Sequence, residues 1–251
     1  MTPNPSVRLM VGMPVYGGYH PHFVPGLLDL VRRPPCHLQI APLVGDSLVS
    51  RARNRIAAKF LAGGCTHLLF LDTDLIFSPE HIARLIGHGL PFVCGLYPKK
   101  QAGISWVCNT RAEYPPRDEA TGLQRILYGG TGCMLIAREV LEAIVAKFPD
   151  LAYEPDDGEP DQPLYDFFRV GVHADPATGR RRYLSEDWFF CQMALEAGVP
   201  LYADTCVVLK HCGEAIYPLG GLGESDKSDK SDESDESAPA ESAIPLITAV
   251  P

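Results

Sequence analysis

Three features are missing from this 251-residue sequence, and each absence argues against a class of protein. No apolar run reaches the roughly 18 residues of a membrane-spanning helix, and the first ten residues lack the charged and apolar segments of a secretory signal. The eight cysteines include no C-x-x-C pair, a pattern more typical of buried reduced thiols than of a disulfide framework or a zinc ribbon. We therefore expect a cytoplasmic protein without a transmembrane segment.

A basic patch interleaved with aromatic residues is also missing, so nucleic acid is not an expected partner. The net charge of -9 is concentrated at 224–241, where eight acids and two lysines carry -6. The remainder of the chain is close to neutral, and its charge indicates no particular partner. Because the Ser-Asp-Lys and Ser-Asp-Glu repeats of this stretch cannot bury apolar surface, we predict one domain at 1–219 and a disordered tail at 220–251.

What the sequence does contain is an alternation of strand and helix patterns over its first hundred residues. Short apolar runs predict the strands, and apolar residues at helical spacing predict the helices. Ser78 as N-cap and Pro79 in the first turn mark the start of one helix. The predicted strands are 7–13, 37–40, 67–71 and 92–95, and the predicted helices are 23–31, 49–61 and one that begins at 79. This alternation predicts an α/β fold with a mostly parallel sheet and helices on both faces.

The second half has a less regular pattern. It predicts strands at 123–127 and 133–137, a helix at 138–147, a helix that Ser185 caps and that runs to 197, and a final strand from about 206 that ends at His211. The stretch 149–182 is rich in Pro, Asp and Gly and is too long for an ordinary connection, so we expect an irregular functional loop or lid.

The strongest functional signal is an apolar strand that ends in Asp72-Thr73-Asp74. Carboxylates at the carboxyl end of a parallel strand lie where α/β sheets bind ligands, and a D-x-D there can hold a divalent cation against a phosphate. A plain turn is the alternative, since aspartate is common in turns. Because both acids directly follow a strand that is predicted to be buried, we favour a cation-binding or ligand-binding role over a plain turn.

Other polar residues also lie in places that suggest chemistry. Arg53 falls on the apolar side of the 49–61 helix. It either extends its charged end to solvent, pairs with a nearby acid such as Asp46, or binds a nucleotide or diphosphate. Glu186 and Asp187 begin an apolar helix, where they either stabilise the helix start or supply a general base. The glycine-rich segment 129–132 is either a plain turn or a source of backbone N–H groups for a phosphate or acceptor. A strand-end histidine, His211, is either a half-exposed polar residue or a metal ligand.

Taken in order, the motifs over residues 7–211 resemble the nucleotide-sugar glycosyltransferases of the GT-A fold, especially the inverting family-2-like enzymes. The segments that carry the resemblance are Met13-Pro14-Val15-Tyr16, Gly45-Asp46-Ser47, Ala52-Arg53-Asn54, Asp72-Thr73-Asp74, Ser185-Glu186-Asp187 and His211. The second segment is a degenerate form of the family's acidic turn. No Q-x-x-R-W follows Asp187, so a single-sugar transfer is favoured over a membrane-embedded polymerase.

The resemblance implies a donor half at about 7–110, an acceptor half at about 111–219, and an enzyme that moves a hexosyl group from a nucleotide-diphosphate sugar to an acceptor hydroxyl. Asp187 would be the general base of an inverting displacement, and Glu186 would orient the acceptor or the base. The cofactor would be Mn²⁺ or Mg²⁺. Whether the acceptor is a glycan, a lipid-linked molecule or a protein stays open.

The residues implied for each role are as follows. Donor contacts are expected from Pro14, Val15, Tyr16, Asp46, Arg53, Asp72, Thr73 and Asp74; metal ligands from Asp74, Asp72 and His211; and acceptor contacts from Gly130, Thr131 and Trp188.

Two other interpretations stay open. The D-x-D strand also resembles that of haloacid-dehalogenase-type phosphatases, with Asp72 as nucleophile and Asp74 as acid/base. That family places the strand at the start of the chain and usually has Thr or Val where Ile76 stands. The second alternative is a non-catalytic module that binds a sugar nucleotide or glycan, although every implied catalytic position here bears a competent side chain.

Overall fold

The computed structural model describes residues 4–101, 105–155, 163–175, 178–213, 216–217 and 248–250. The helices are α1 (Phe23–Arg32), α2 (Val49–Ala62), α3 (Pro79–Gly87), α4 (Arg138–Lys147) and α5 (Glu186–Glu196), with a 3-10 turn at Pro149–Leu151. The strands are β1 (Asn4–Val15), β2 (Cys36–Val44), β3 (His67–Leu71), β4 (Leu75–Ile76), β5 (Phe92–Leu96), β6 (Asn109–Arg111), β7 (Leu123–Arg125), β8 (Cys133–Ala137), β9 (Ala152–Tyr153), β10 (Leu164–Tyr165), β11 (Gly171–Ala174), β12 (Arg181–Leu184), β13 (Tyr202–Val208), β14 (Lys210–Cys212), β15 (Ile216–Tyr217) and β16 (Thr248–Val250).

Seven strands form a central sheet in the order β2-β1-β3-β8-β5-β13-β7. Strand β1 pairs in parallel with β2 and β3, and β13 pairs in parallel with β5. Strand β8 runs antiparallel between β3 and β5, and β7 runs antiparallel along β13. Five strands of this sheet therefore share one direction, which confirms the predicted mostly parallel α/β fold.

Helices cover both faces of the sheet, as predicted. Helices α2, α4 and α5 bury side chains such as Ile56, Leu141 and Phe190 on one face. Helices α1 and α3 bury Phe23 and Leu85 on the other. Strands of a sheet that is buried on both faces are apolar along most of their length. Polar side chains therefore reach solvent or a ligand at the ends of the strands.

The stretch 149–182 differs from the irregular loop that we expected. It contains the 3-10 turn and four short strands, with β9 paired to β10 and β11 paired to β12, each antiparallel. In β11 and β12 exposed residues alternate with less exposed ones, and neither strand is apolar enough to stand out in the sequence. Residues 156–162 and 176–177 lie outside the described part of the chain.

The end of the domain also differs from expectation. Strand β13 begins earlier than predicted and stops at Val208, and His211 lies on the separate strand β14, which pairs antiparallel with β4. Within the tail predicted to be disordered, 248–250 form β16, paired in parallel with β6, whereas 220–247 and 251 are outside the described residues. Over the described ranges, no helix combines the length and the apolar character needed to cross a membrane. All eight cysteines are free thiols, and seven are buried.

Candidate active site

The predicted donor residues meet at the carboxyl ends of the parallel strands, the edge where α/β sheets bind ligands. A cavity of about 320 Å³ opens there. Its lining residues are Pro14, Tyr16, Gly17, Asp46, Ser47, Val49, Arg53, Asp72, Thr73 and Asp74. Seven of the eight residues predicted to contact a donor are among them. The eighth, Val15, packs into the core behind the cavity.

The loop after β1 is tied to the D-x-D segment. Thr73 donates a hydrogen bond from its hydroxyl to the Gly18 carbonyl (2.9 Å), and the His20 amide donates to the Thr73 carbonyl (2.9 Å). Tyr16 on this loop is 74% exposed at the cavity. The loop therefore forms one wall of the cavity, and it presents an aromatic ring to solvent.

Arg53 is buried against the carboxylates of the site. Its Nη2 donates to both oxygens of Asp72, at 3.0 and 3.3 Å, and its Nε lies 3.7 Å from Glu186 Oε1. Burial disfavours the charged guanidinium, but Asp72 and Glu186 more than compensate and raise the pKa of Arg53. Asp46, the acid suggested as its partner by the sequence, instead binds Arg51 through two nitrogens at 2.8 to 3.1 Å.

Two nitrogens of the Arg53 guanidinium are left without a hydrogen bond. Within the described part of the chain, Nε and Nη1 are buried and have no hydrogen-bond partner. Buried polar groups are normally satisfied, so such donors at a cavity wall point to a ligand that supplies acceptors. Phosphate oxygens are among the acceptors that form strong, charge-assisted hydrogen bonds with arginine.

Asp74 lies between a lysine and a histidine. Its Oδ2 is 2.5 Å from Lys100 Nζ and 3.4 Å from His211 Nε2. Burial raises the pKa of Asp74, but the hydrogen bonds and charges of His211 and Lys100 outweigh burial and lower this pKa to about 2. The carboxylate is therefore ionised at neutral pH.

The contacts of Asp74 and His211 fit a divalent cation, although the predicted three-ligand set is not assembled. Across the described ranges, no three His, Cys, Asp or Glu side chains converge as a metal cluster, since Asp72 is held by Arg53. Asp74 Oδ1 is buried without a hydrogen-bond partner, and His211 Nδ1 lies 2.8 Å from the Pro98 carbonyl. Because that carbonyl can only accept, Nδ1 is the donor of this bond, and in a neutral ring Nε2 would have a lone pair for a cation. The remaining ligands would come from a diphosphate and water.

Glu186 and Asp187 occupy the first turn of α5. Ser185 does not cap the helix with its side chain as expected; its hydroxyl donates to Asp187 Oδ1 instead, and the Trp188 amide donates to the same oxygen at 2.8 Å. Burial raises the pKa of Asp187 and, with help from the Asp187 charge, the pKa of Glu186. A raised pKa makes Asp187 a stronger base than an ordinary aspartate.

The predicted acceptor residues are less accessible than the donor residues. Gly130 and Thr131 are buried, and two amides of their loop bind protein atoms: Gly132 N donates to Tyr97 Oη (2.8 Å) and Gly129 N to a cysteine sulfur (3.4 Å). Trp188 is stacked on Tyr128, with ring centroids 4.9 Å apart. The loop therefore acts mainly as a packed turn beside the site.

Tyr97 and Lys100 were missed by the sequence interpretation. Tyr97 directly follows β5, is buried, and packs its ring edge-to-face against His211 with centroids 5.3 Å apart. Burial, reinforced by the charges of Asp72 and Asp187, raises the pKa of Tyr97 well above 10. Asp72 was predicted because it follows the carboxyl end of a parallel strand, where ligands bind in α/β sheets. Tyr97 could have been predicted for the same reason, because β5 ends at the same edge of the sheet.

We expect Gly132→Ala to destabilise the protein by about 1–3 kcal/mol, the usual cost of overpacking. A Cβ at this position would lie 2.6 Å from Tyr97 Oη and 3.1 Å from Asp72 Oδ2, so the tyrosine or the backbone must shift. The control is Gly87→Ala, where a Cβ meets nothing within 4 Å. Thermal and urea unfolding measure both variants, and equal stability of the two would contradict the prediction.

A mostly parallel sheet that brings a D-x-D loop, a buried arginine and two helix-start acids to one edge defines a GT-A-like fold. No protein-family model matches the sequence, and no curated protein matches it either. Solved structures do match.

GalNAc-T7, crystallised with UDP, GalNAc and Mn²⁺, matches 82% of this chain and 44% of its own, with a TM-score of 0.50 and 12% identity. A197 from STIV matches with a TM-score of 0.49 and 18% identity over 82% of this chain and 85% of its own. TarS of S. aureus, residues 1–349, matches with a TM-score of 0.42 and 13% identity over 78% of this chain and 57% of its own. The chain spans less than half the length of GalNAc-T7, and at 12% identity that likeness is one of fold alone.

Proposed function

We propose that this chain is a glycosyltransferase that moves a hexosyl group from a nucleotide-diphosphate sugar to an acceptor hydroxyl, with inversion at the anomeric carbon. The observation that carries the proposal is the convergence of seven predicted donor residues on one cavity at the carboxyl edge of the sheet. The GT-A-like neighbour crystallised with UDP, GalNAc and Mn²⁺ supports it.

The donor would lie in the cavity with its diphosphate toward Arg53. Nε and Nη1 of this buried guanidinium, which make no hydrogen bond to the described residues, would donate to phosphate oxygens. Asp72, bound to Nη2, and Glu186, 3.7 Å from Nε, would hold the guanidinium in place. The exposed ring of Tyr16 would contact the nucleoside, since aromatic rings stack on bases with little sequence preference.

Asp74 Oδ1 and His211 Nε2 would hold Mn²⁺ or Mg²⁺. When bound, the cation would neutralise the negative charge that develops on the departing nucleotide diphosphate. The Pro98 carbonyl would keep the His211 ring in the tautomer whose Nε2 is free of a proton.

Asp187 would be the general base. In a single displacement it accepts the proton of the acceptor hydroxyl, the hydroxyl oxygen bonds to the anomeric carbon, and the bond from that carbon to the diphosphate oxygen breaks. The nucleotide diphosphate leaves with the electron pair. Ser185 and the Trp188 amide would hold Asp187 Oδ1 and so fix the orientation of the carboxylate toward the acceptor.

Thermal-shift measurements with nucleotide sugars test the proposal. We expect at least one UDP-, GDP- or dTDP-sugar, at about a hundred times its Kd, to raise the unfolding temperature by several degrees in the presence of Mn²⁺. A CMP-sugar is the control, because it lacks the diphosphate that Arg53 would bind. If no diphosphate sugar raises the unfolding temperature, the donor site is wrong, and metal-dependent phosphate release from phosphomonoesters would favour the phosphatase alternative instead.

A further inference from the structure

Lys100 contacts the carboxylate that the proposed function assigns to the cation. Its Nζ lies 2.5 Å from Asp74 Oδ2, and the lysine side chain is 38% exposed. The backbone beside it is held in place, because the Lys99 amide donates to the Ser105 carbonyl at 2.7 Å. The ion pair therefore joins a fixed carboxylate to a flexible side chain on an anchored segment.

The Lys100 ammonium and a divalent cation compete for the same carboxylate. Asp74 Oδ2 already faces both Lys100 Nζ and His211 Nε2. A cation held by Asp74 and His211 would lie a few ångströms from the ammonium, and like charges at that separation repel strongly in a partly buried site. Lys100 is able to leave, since its four-carbon stem is flexible and reaches solvent. Arg53 is buried and does not have this freedom.

We propose that Lys100 is an exchangeable counter-ion of Asp74, which neutralises this carboxylate until a divalent cation displaces the ammonium. The inference rests on the proposed function. Lys100 would stabilise the metal-free protein and weaken its affinity for the cation, so it would set the cation concentration at which the donor binds.

The test compares Lys100→Gln with Lys99→Gln. The neighbouring lysine has the same charge, and no ion pair of its side chain with another described residue is found. We expect Lys100→Gln to bind Mn²⁺ about fivefold more tightly than wild type, the factor expected from loss of a partly exposed ion pair. Lys99→Gln and Lys100→Arg should keep the wild-type affinity. Electron paramagnetic resonance of free Mn²⁺, titrated into protein freed of metal with EDTA, gives the affinity without any activity assay.

Stability is the second readout. Without metal, Lys100→Gln should unfold at a lower temperature than Lys99→Gln, and Mn²⁺ should raise its unfolding temperature more than that of wild type. If Lys100→Gln binds Mn²⁺ no more tightly than wild type, or not at all, the counter-ion proposal is wrong.

UDP binding separates this inference from the proposed function. If wild type binds UDP equally well in EDTA and in Mn²⁺, and Lys100→Gln binds it in neither, then Lys100 permanently replaces the cation and the exchange proposal fails. If neither protein binds UDP or another nucleoside diphosphate, the proposed function fails, while the Mn²⁺ titration still decides the role of Lys100.

Discussion

Replacing Asp187 with asparagine is expected to lower the rate of sugar transfer by about 10²- to 10⁴-fold, the usual contribution of a general base. Donor binding should be unchanged, because Asp187 lies at the start of α5 and does not line the donor cavity. Turnover of a nucleotide sugar with a screened acceptor measures the rate, and a thermal shift with the same donor measures binding. Asp150→Asn, an exposed carboxylate on the 3-10 turn, is the control.

The same variant should not lose stability. Burial raises the pKa of Asp187, so folding disfavours its ionised form, and the native state binds more protons than the unfolded state between the ordinary and the raised pKa. Stability from this group therefore falls as pH rises through that range, and the ionised carboxylate carries a cost at neutral pH. Asparagine removes that cost and still accepts the Trp188 amide. A variant that loses both activity and stability would contradict the assigned role.

The pH profile gives a second readout of Asp187. A base works only when it is deprotonated, so wild-type transfer should fall as pH decreases through the pKa of Asp187. Because burial raises this pKa, the decline should begin at a higher pH than an ordinary aspartate would produce. The residual activity of Asp187→Asn should lack this decline.

Replacing Asp74 with asparagine is expected to abolish the Mn²⁺ dependence of donor binding and to lower transfer by about 10²- to 10³-fold. The variant keeps the size of the side chain but removes the charge that pairs with Lys100 and faces His211. Thermal shifts with a diphosphate sugar, with and without Mn²⁺, measure the dependence, and Asp150→Asn again serves as the control. An undiminished Mn²⁺ effect in Asp74→Asn would show that the cation binds elsewhere.

Asp74 should also contribute to stability, in the opposite sense to Asp187. Its interactions with His211 and Lys100 overcome burial and lower the pKa of Asp74 to about 2 in the folded protein. The stabilisation is fully present above the ordinary aspartate pKa and is lost as pH falls through about 2. Asp74→Asn is therefore expected to unfold at a somewhat lower temperature than wild type at neutral pH, and this difference should disappear in strong acid.

Local patterns were enough to predict the elements that form the donor side of the site. The apolar run before Asp72 became β3 with the predicted bounds, because a strand buried on both faces must be apolar throughout. Helical spacing placed Arg53 on the inner side of α2, where it is buried. The mostly parallel sheet followed from the alternation of strands with helices, which only right-handed crossovers connect compactly.

Side-chain partners were harder to predict. Arg53 binds Asp72 and Glu186 rather than Asp46, and the hydroxyl of Ser185 binds Asp187 instead of capping α5. Which side chains meet depends on which strand ends lie next to one another at the carboxyl edge. That neighbourhood is set by the order of strands in the sheet, which a local sequence pattern does not encode. The strands β9 to β12 were missed because each is only two to four residues long and none forms a long apolar run.

The sequence by itself determined the class of fold, the D-x-D strand, the inward arginine and the acids that begin α5, because each depends on residue periodicity within one element. Only the tertiary structure decided what those groups contact. It placed the two acids of the D-x-D segment in different contacts: Asp72 pairs with Arg53, and Asp74 pairs with Lys100 and His211. It also brought Tyr97 and Lys100 to the site, since β5 ends beside β8 and β13 at the same sheet edge. Contacts between residues distant in the chain depend on the packing of whole strands and helices, which no single segment encodes.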